Sequence, residues 1–183
     1  MNENELIKAL IQGDRNAFNL LVEKHKDMVF AVCFSFLNNT LDAEDTSQEV
    51  FIQIYKSIHQ FKHKSTLKTW IYRIAISKSS DFIKKKKRKK RYAVLSRYQD
   101  VESVSSSTIL TPQKILENKE NLILLHQAID LLSEKAKSTF ILQHFLCKTN
   151  TEIAELLDMP KSTVDSHLKR SKEKIKKSLS GIL

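Results

Sequence analysis

The sequence predicts an all-α protein with two small helical domains joined by a flexible linker. Only 2 Gly and 2 Pro occur in 183 residues, too few for the many tight turns of a β-rich chain. Apolar residues recur at helical spacing on both sides of residues 99–113, a stretch that lacks this spacing, is rich in Ser and contains Pro112. We therefore expect a first domain over 1–98, a linker over 99–113 and a second domain over 114–183.

The first domain carries three helical patterns. Asp14 has a residue type suited to cap the first of them, and the third runs into the basic run Lys84–Arg91. Each pattern places its apolar residues on one side of a helix, which predicts a shared core. The three apolar stripes are Phe18, Leu21, Val22, Met28, Val29, Val32 and Phe36; then Val50, Phe51, Ile54, Tyr55 and Ile58; and finally Leu67, Trp70, Ile71, Ile74, Ala75 and Phe82.

The second domain is predicted to end in two helices with almost no loop between them. Helical patterns over Ile115–Leu132 and about Ser133–Leu146 precede this pair. Thr149 and Glu152 have the spacing of a capping box, so a helix begins there, and Pro160 prevents its continuation. The buried faces of the pair are predicted to hold Ile153, Ala154, Leu156 and Leu157 in the first helix and Val164, Leu168, Ile175 and Leu179 in the second.

Charge is unevenly distributed along the chain, whose net charge is +10. Residues 1–60 carry five Lys or Arg against nine Asp or Glu, a net −4, and residues 61–98 carry fourteen against one, a net +13. Residues 99–160 return to −4, from five and nine, and residues 161–183 give +5, from seven and two. Two basic blocks, each preceded by an acidic one, indicate two contacts with a polyanion such as nucleic acid.

The sequence gives no sign of a membrane protein, an exported protein or an enzyme. No apolar run approaches the ~20 residues of a membrane span, and the N-terminus MNENELIKAL lacks the basic start and hydrophobic core of an export signal, so we expect a cytoplasmic protein. Cys33 and Cys147 stand singly and are expected to be buried, reduced thiols. No ordered nucleophile and base, Gly-rich phosphate loop or metal-ligand spacing occurs, so we expect no catalytic residue, metal or cofactor.

The last predicted helix is nearly bare of apolar residues along its first three turns. A helix anchored by a thin apolar seam, with short polar and basic side chains around its N-terminal end, suits the major groove of DNA. An ordinary amphipathic surface helix is the alternative, since helical hairpins are common. The polar residues crowding this helix are Lys161, Ser162, Thr163, Asp165, Ser166, Lys169 and Arg170.

Three motifs resemble those of one family, the extracytoplasmic-function (ECF) sigma factors of bacterial RNA polymerase. Glu152–Ala154 with Thr163–Leu168 is similar to the E-I-A and T-V-x-S-x-L elements of sigma region 4, although other bacterial regulators carry a similar helix pair. Leu41–Phe51 resembles the D-A-E-D-x-x-Q-E-x-F signature of region 2, and Thr69–Ala75 resembles its T-W-L-Y-R-I-A. The resemblance implies a region 2-like helical bundle followed by a region 4-like helix-turn-helix domain.

An acidic stripe follows one side of the second predicted helix. Helix capping and the helix dipole explain the acids of its first turn, but they do not explain Glu49 in the second turn or the apolar Ile52 beside it. An acidic stripe with one apolar residue is typical of a protein interface. In the family this surface binds the clamp helices of the polymerase β′ subunit, and the resemblance implies Asp42, Asp45, Gln48, Glu49 and Ile52 as polymerase-binding residues.

The third predicted helix and the basic loop before it are implied to contact the −10 promoter element. In the family the loop holds a base flipped from the duplex, whose extraction costs a few kcal/mol that stacking and hydrogen-bonding groups must offset. The residues concerned are Lys62, His63, Lys64, Ser65 and Thr66 in the loop, and Thr69, Trp70, Arg73, Ser77 and Lys84 in the helix. Trp70 packs either in the core or near the melted junction, and the run Lys84–Arg91 is either phosphate-binding or solvated.

The helix pair at the end of the chain is implied to contact the −35 element. The residues concerned are Thr151, Lys161, Ser162, Thr163, Asp165, Ser166, His167, Lys169 and Arg170. The expected partners are core RNA polymerase, through the β′ clamp helices and the β flap, promoter DNA and an anti-sigma factor.

Three other functions compete with this interpretation. An autonomous helix-turn-helix regulator leaves the acidic stripe unused, and a polybasic adaptor at a membrane or RNA surface lacks an amphipathic face beside the lysine run. A recombinase needs a catalytic domain ahead of the helix pair.

Overall fold

The computed structural model of the protein describes residues 2–96 and 124–180. Both ranges are helical and contain no β-strand, which confirms the all-α prediction. The elements are α1 (Glu3–Ile11), α2 (Arg15–Leu37), α3 (Thr40–Ser57), a 3-10 turn (Ile58–Gln60), α4 (Leu67–Ser96), α5 (helical over 124–130), α6 (Glu134–His144), α7 (Asn150–Leu157) and α8 (Lys161–Ser180). The predicted linker, 99–113, lies outside the described residues.

The helices of the first range begin at polar caps. Asn2 and Glu5 form a capping box at the start of α1, a helix that the sequence analysis missed. Asp14 caps α2 as predicted, its Oδ1 accepting from the Asn16 N–H at 2.8 Å. The cap of α3 is Asn39, whose Oδ1 accepts from the Asp42 N–H at 2.9 Å. Asp42 therefore lies within the first turn of α3 and is not its cap.

Helices α2, α3 and α4 pack together around one apolar core. The predicted stripes supply most of it, since Leu21, Val29, Val32, Phe36, Val50, Ile54, Ile58, Leu67, Ile71 and Ala75 are all buried. Cys33 lies in this core as expected, and desolvation raises the pKa of its thiol. The matching prediction for Cys147 is wrong, because Cys147 follows α6 in a left-handed conformation (φ 50°) and is exposed.

Helices α6, α7 and α8 pack together as a second group. Its core includes Phe140, Ile141, Leu142, Ile153, Leu156, Val164, Leu168 and Ile175, which confirms the seam predicted for the last helix. The capping box of Thr149 and Glu152 starts α7 as predicted. The described part of the predicted helix Ile115–Leu132 is helical over 124–130.

The two helical groups are in contact. Helix α4 packs against α7, and α2 packs against α6. Between the two groups, the ammonium of Lys148, which precedes α7, also lies 5.2 Å from the centre of the Tyr72 ring of α4, a cation–π geometry. Within residues 2–96 and 124–180, no helix is long and apolar enough to cross a membrane.

Candidate polymerase-binding and nucleic-acid interfaces

Helix α3 exposes one apolar and acidic face opposite its buried side. Leu41, Asp45, Gln48, Ile52 and Tyr55 follow one another at steps of four, three, four and three residues, and we name this set the α3 stripe. Its apolar members are open to solvent, with Leu41 72%, Ile52 46% and Tyr55 56% exposed. A four-three alternation is the spacing of a helix seam that packs on another helix.

The α3 stripe corrects the sequence analysis at two positions. Tyr55 was predicted in the buried stripe, but it is mostly exposed and meets Phe18 edge-on, with ring centres 5.3 Å apart. Leu41 was not predicted at all as a surface residue of this face. Four predicted residues, Asp45, Gln48, Glu49 and Ile52, are exposed together. The fifth, Asp42, is only partly exposed, and its Oδ2 lies 2.8 Å from the Lys86 ammonium of α4.

The loop before α4 is held in shape by its neighbours. His63 has a left-handed backbone (φ 55°), and its ring lies 4.8 Å from that of buried Phe61. Thr66 starts α4, because its Oγ1 accepts from the Thr69 N–H at 3.1 Å. The Leu67 N–H donates to Oε1 of Glu3 at 3.2 Å, so α1 also supports the start of α4. Of the predicted loop residues, Lys62, His63, Lys64 and Thr66 are exposed and Ser65 is partly buried.

A polar groove of about 390 Å³ lies between the end of α3 and the first half of α4. Trp70 lines it and also packs on Phe61, with ring centres 5.4 Å apart, so both alternatives considered for Trp70 describe part of its environment. Ile74 lines the groove as well and is only partly buried, although it was predicted in the core. The other lining residues are Gln53, Ser57, Gln60, Ser77, Lys78 and Asp81, of which only Ser77 was predicted.

Three residues of α4 predicted to bind DNA contact the second helical group. The Arg73 guanidinium donates through Nη2 to the backbone carbonyl of Glu155 at 2.7 Å. The Thr69 hydroxyl donates to the Glu155 carboxylate at 3.2 Å. The Lys84 ammonium lies 2.8 Å from the Glu134 carboxylate. Arg73 Nε is buried and makes no hydrogen bond within the described part of the chain.

Helices α7 and α8 form a helix-turn-helix. Helix α7 ends at Asp158, which adopts a left-handed conformation (φ 50°), and the Met159 N–H returns to the Ala154 carbonyl at 3.0 Å. The carbonyl of Pro160 then accepts from the Thr163 N–H at 2.9 Å. This turn fixes the direction of α8, whose outer face carries the exposed residues Lys161, Ser162, Asp165, Ser166, Lys169 and Arg170. Thr163 and His167 are partly buried, and Thr151 is exposed on α7.

A chain of hydrogen bonds ties α8 to the helices behind it. Nε2 of Gln143 donates to Oδ1 of Asn150 at 2.8 Å, and Nδ2 of Asn150 donates to Oδ1 of Asp165 at 2.6 Å. Asp165, which is predicted to contact DNA, is exposed and also links α8 to α7 through its Oδ1. Neither Gln143 nor Asn150 was predicted, and no sequence motif pointed to them.

Glu152 supports the start of α7 with an ionised carboxylate. Its Oε2 accepts from the Thr149 N–H at 2.9 Å, and its Oε1 lies 3.1 Å from the Lys148 ammonium. The backbone N–H of Thr149, together with the side chains of Lys148 and Thr149, lowers the pKa of Glu152 to about 2.

The second group also contains two histidines with lowered pKa values. Burial lowers the pKa of both His126 and His144. Among the described residues, no cluster of His, Cys, Asp and Glu is arranged to hold a metal ion.

Comparison with known proteins assigns both helical groups. Residues 21–89 match the family described as Sigma-70 region 2, and residues 122–175 match Sigma-70 region 4. The ECF RNA polymerase sigma factor SigW of Bacillus subtilis is 30% identical over 178 residues, which cover 94% of each chain. The RNA polymerase sigma-H factor of Pseudomonas aeruginosa is 28% identical over 185 residues, covering 99% of this chain and 95% of that protein.

Solved structures share the fold. CnrH in complex with the cytosolic domain of CnrY superposes with a TM-score of 0.62 at 17% identity, covering 98% of this chain and 97% of that chain. The sigma factor RpoE of Bartonella quintana, solved with the anti-sigma factor NepR, gives a TM-score of 0.57 at 18% identity, covering 89% and 96%. The chain therefore belongs to the ECF sigma factors of bacterial RNA polymerase, and it is a transcription initiation factor.

Proposed function

We propose that this sigma factor uses three separate surfaces to bind core polymerase, the −10 element and the −35 element. The α3 stripe with Glu49 binds the clamp helices of the polymerase β′ subunit. The loop 62–66 and the outer face of α4 bind the −10 element, and the outer face of α8 binds the −35 element. The domain boundaries that we propose are those of the sequence analysis, 1–98 and 114–183.

The single observation that carries this assignment is the exposure of the α3 stripe. A large side chain that faces solvent, such as Leu41 or Tyr55, is ordinary when isolated, but three on one seam form a patch. The seam has the spacing that packs on a helix, and Asp45 and Glu49 add negative charge beside it, so it fits a helical, basic partner. In this proposal the helical, basic partner is a clamp helix of the polymerase.

The proposed −10 surface combines stacking groups with hydrogen-bond donors. Trp70 and His63 offer aromatic faces near the polar groove, and Lys62 and Lys64 supply positive charge for the phosphate backbone. A base that leaves the duplex needs these two kinds of contact to offset its lost pairing and stacking. Gln53 and Ser57 reach the same groove from α3, and we add them to the residues that meet the melted strand.

The proposed −35 surface suits duplex DNA. Lys161 and Ser162, at the N-terminus of α8, are exposed to solvent. Lys169 and Arg170 follow further along the helix and are exposed as well. Short polar groups near the helix N-terminus reach base edges, and the basic residues further along reach phosphates. An autonomous helix-turn-helix regulator would use this surface too, but it leaves the α3 stripe without a partner.

The remaining assignments follow from the family. The polymerase supplies the chemistry of RNA synthesis, and the sigma factor performs no covalent step. It acts in the cytoplasm, where core polymerase binds it and the β flap receives region 4. Because the Bartonella RpoE was solved with the anti-sigma factor NepR, and CnrH with the cytosolic domain of CnrY, we propose that an anti-sigma factor binds this chain as well.

Competition for core polymerase tests the α3 stripe. Reversing both acids, Asp45→Lys with Glu49→Lys, should weaken binding to core polymerase by on the order of 100-fold, because like charges then face each other across the interface. Ile52→Ala should raise the dissociation rate roughly tenfold, since a buried apolar contact governs residence time. The measurement is displacement of a labelled reference sigma factor from core polymerase.

A matched control reverses two exposed acids away from the stripe, Glu23→Lys with Glu173→Lys, and should bind normally. Circular dichroism and a thermal melt on the same samples check folding, because Asp45 and Glu49 are both exposed and should be replaceable without unfolding. Normal binding by the stripe variant would mean that α3 is a solvated helix face.

A further inference from the structure

The −10 face of α4 is occupied by the helix-turn-helix. Arg73 and Thr69 each donate a hydrogen bond to Glu155 of α7, at 2.7 and 3.2 Å. A backbone carbonyl and a carboxylate are acceptors of the same kind as the phosphate and base oxygens that these donors would meet on DNA. Glu155 therefore stands where a nucleotide would bind.

The lysine run of α4 extends this contact. Lys84 pairs with Glu134 at 2.8 Å, and the Lys87 ammonium donates to the carbonyl of Asp130 at 3.3 Å. Both partners lie at the turn between α5 and α6. Lys84 and Lys87, one turn apart at the start of the run, thus contact the acidic end of α5 and the start of α6.

The two promoter-binding faces differ in access as a result. The outer face of α8 remains exposed, and so does the α3 stripe, whereas Arg73 and Thr69 are partly buried. The −10 and −35 elements are named for positions roughly 25 base pairs apart, about 85 Å along B-DNA at 3.4 Å per base pair. A helix-turn-helix that is hydrogen-bonded to α4 cannot bind the −35 element while α4 binds the −10 element.

We propose that these four contacts form a closing contact that keeps the −10 face shut in the free sigma factor. The contacts are Thr69 and Arg73 with Glu155, Lys84 with Glu134, and Lys87 with Asp130. Polymerase binds first at the α3 stripe, which the closing contact leaves free, and the two helical groups separate afterwards. The inference rests on the proposed function, since it assigns α4 to the −10 element.

The closing contact is built to be weak. Its ion pair is about half exposed, with Lys84 52% and Glu134 53% accessible, and pairs of this kind each shift an equilibrium only roughly two- to fivefold. Arg73 also has a buried Nε with no acceptor among residues 2–96 and 124–180, so its hydrogen bonding there is incomplete. A phosphate or base edge can accept from both sides of the guanidinium and replaces Glu155 at no loss of hydrogen bonds.

Spin labels on the full-length protein measure the separation of the two groups. Cys147 is exposed and Cys33 is buried, so a label on Cys147 marks the second group, and one on Asn19→Cys marks the first. Double electron–electron resonance should give one short distance for the free protein and a longer one with core polymerase. Glu134→Lys with Glu155→Lys should lengthen or broaden the distances without polymerase, and Glu23→Lys with Glu173→Lys should not.

Single-stranded DNA provides the second readout. A mixed-sequence 20-nucleotide strand should bind the Glu134→Lys, Glu155→Lys variant roughly three- to tenfold more tightly than the Glu23→Lys, Glu173→Lys control, which has the same net charge. Adding Arg73→Ala should remove most of this gain, which a general charge effect would not do. Circular dichroism checks that each variant is folded.

Two outcomes overturn the closing contact. One is an identical short distance with and without polymerase, and the other is a free wild-type protein as broadly distributed as the Glu134→Lys, Glu155→Lys variant. Both are distinct from a failure of the proposed function, which would appear as normal polymerase binding by the Asp45→Lys, Glu49→Lys variant. The measurements without polymerase remain decisive in that case.

Discussion

Helices α4 and α8 carry similar side chains but differ in what covers them. Each presents hydroxyl groups and basic residues on the side away from its apolar seam. On α8 this side faces solvent, whereas on α4 its centre is hydrogen-bonded to Glu155. The comparison teaches that composition identifies a face suited to nucleic acid, while the packing of another domain decides when that face is available.

The difference extends to how the two helices are oriented. The cap of α4 comes from Thr66 and from Glu3 of α1, two residues that are far apart in the sequence. The orientation of α8 comes from Asn150 and Asp165 within the helix-turn-helix itself. Helix α8 is thus positioned by its own small unit, and α4 by the whole of the first bundle.

Replacement of Arg73 should produce the largest difference between the two helices. In the polymerase holoenzyme, Arg73→Ala should lower run-off transcription by roughly 10- to 100-fold, because one charge-assisted contact to the melted strand is worth about 1–3 kcal/mol. A template already melted around the start site should not rescue the variant, since α4 still meets a single strand there. Arg15→Ala, which removes an exposed Arg at the start of α2, serves as the control. Full rescue on the melted template would assign Arg73 to duplex recognition.

Replacement of two basic residues on α8 should give a smaller effect of a different kind. Lys169→Ala with Arg170→Ala should reduce the slope of log affinity against log salt for a −35 duplex by about two units, at about 0.9 per phosphate contact. Transcription from a melted template should change little. Binding as a function of salt is the measurement, and Lys176→Ala with Lys177→Ala, further along the same helix, is the matched control. An unchanged slope would place the DNA-binding face elsewhere.

The smallest expected effect concerns Glu152, in the first turn of α7. The pKa of Glu152 falls from its ordinary value of 4.5 to about 2 in the folded protein, so the ionised form stabilises the fold above pH 4.5. This stabilisation is lost as the pH falls from 4.5 through 2. Glu152→Gln should lower the Tm at pH 7 by about 1–3 °C, and the difference should shrink at pH 3. The carboxylate is nearly half exposed, 47%, and screening by water keeps the effect small.

Thermal melts of Glu152→Gln and Glu173→Gln at pH 7, 5 and 3 make this measurement. Glu173 is an exposed carboxylate of the same domain and should show no difference at any of the three values. A Tm difference for Glu152→Gln that persists at pH 3 would mean that the amide disturbs the capping geometry instead of removing a charge.

The local patterns of the chain were enough to predict the helices that carry the surfaces. Spacing of apolar residues predicted the buried sides of α2, α3, α4 and α8, because helical periodicity is set by backbone geometry alone. Capping residues were equally informative, since the side chains of Asp14 and Thr149 accept hydrogen bonds from backbone N–H groups only two or three residues away. Helix α1 was missed although Asn2 and Glu5 carry the same signal.

The predictions that failed concern residues whose burial or contacts depend on residues distant in the sequence. Tyr55 has the type and spacing of a core residue, but it is mostly exposed and meets Phe18 of α2 in a T-shaped contact. Glu155 showed no functional sign in the sequence, because its role depends on Arg73, a residue 82 positions away. Cys147 is apolar enough to be buried, yet its left-handed backbone turns it outward. Such residues are fixed by tertiary packing, which periodicity does not contain.

The hydrogen bond from Asn150 to Asp165 limits how this sigma factor can be re-engineered or can evolve towards new promoters. A transplanted recognition helix with another residue at position 165 would leave the Asn150 amide without this acceptor and remove one of the contacts that hold α8 against α7. Gln143, which holds Asn150 in turn, would lose its role as well. Residues 143, 150 and 165 therefore form one connected set, and a helix grafted onto this scaffold keeps this support when all three are exchanged together.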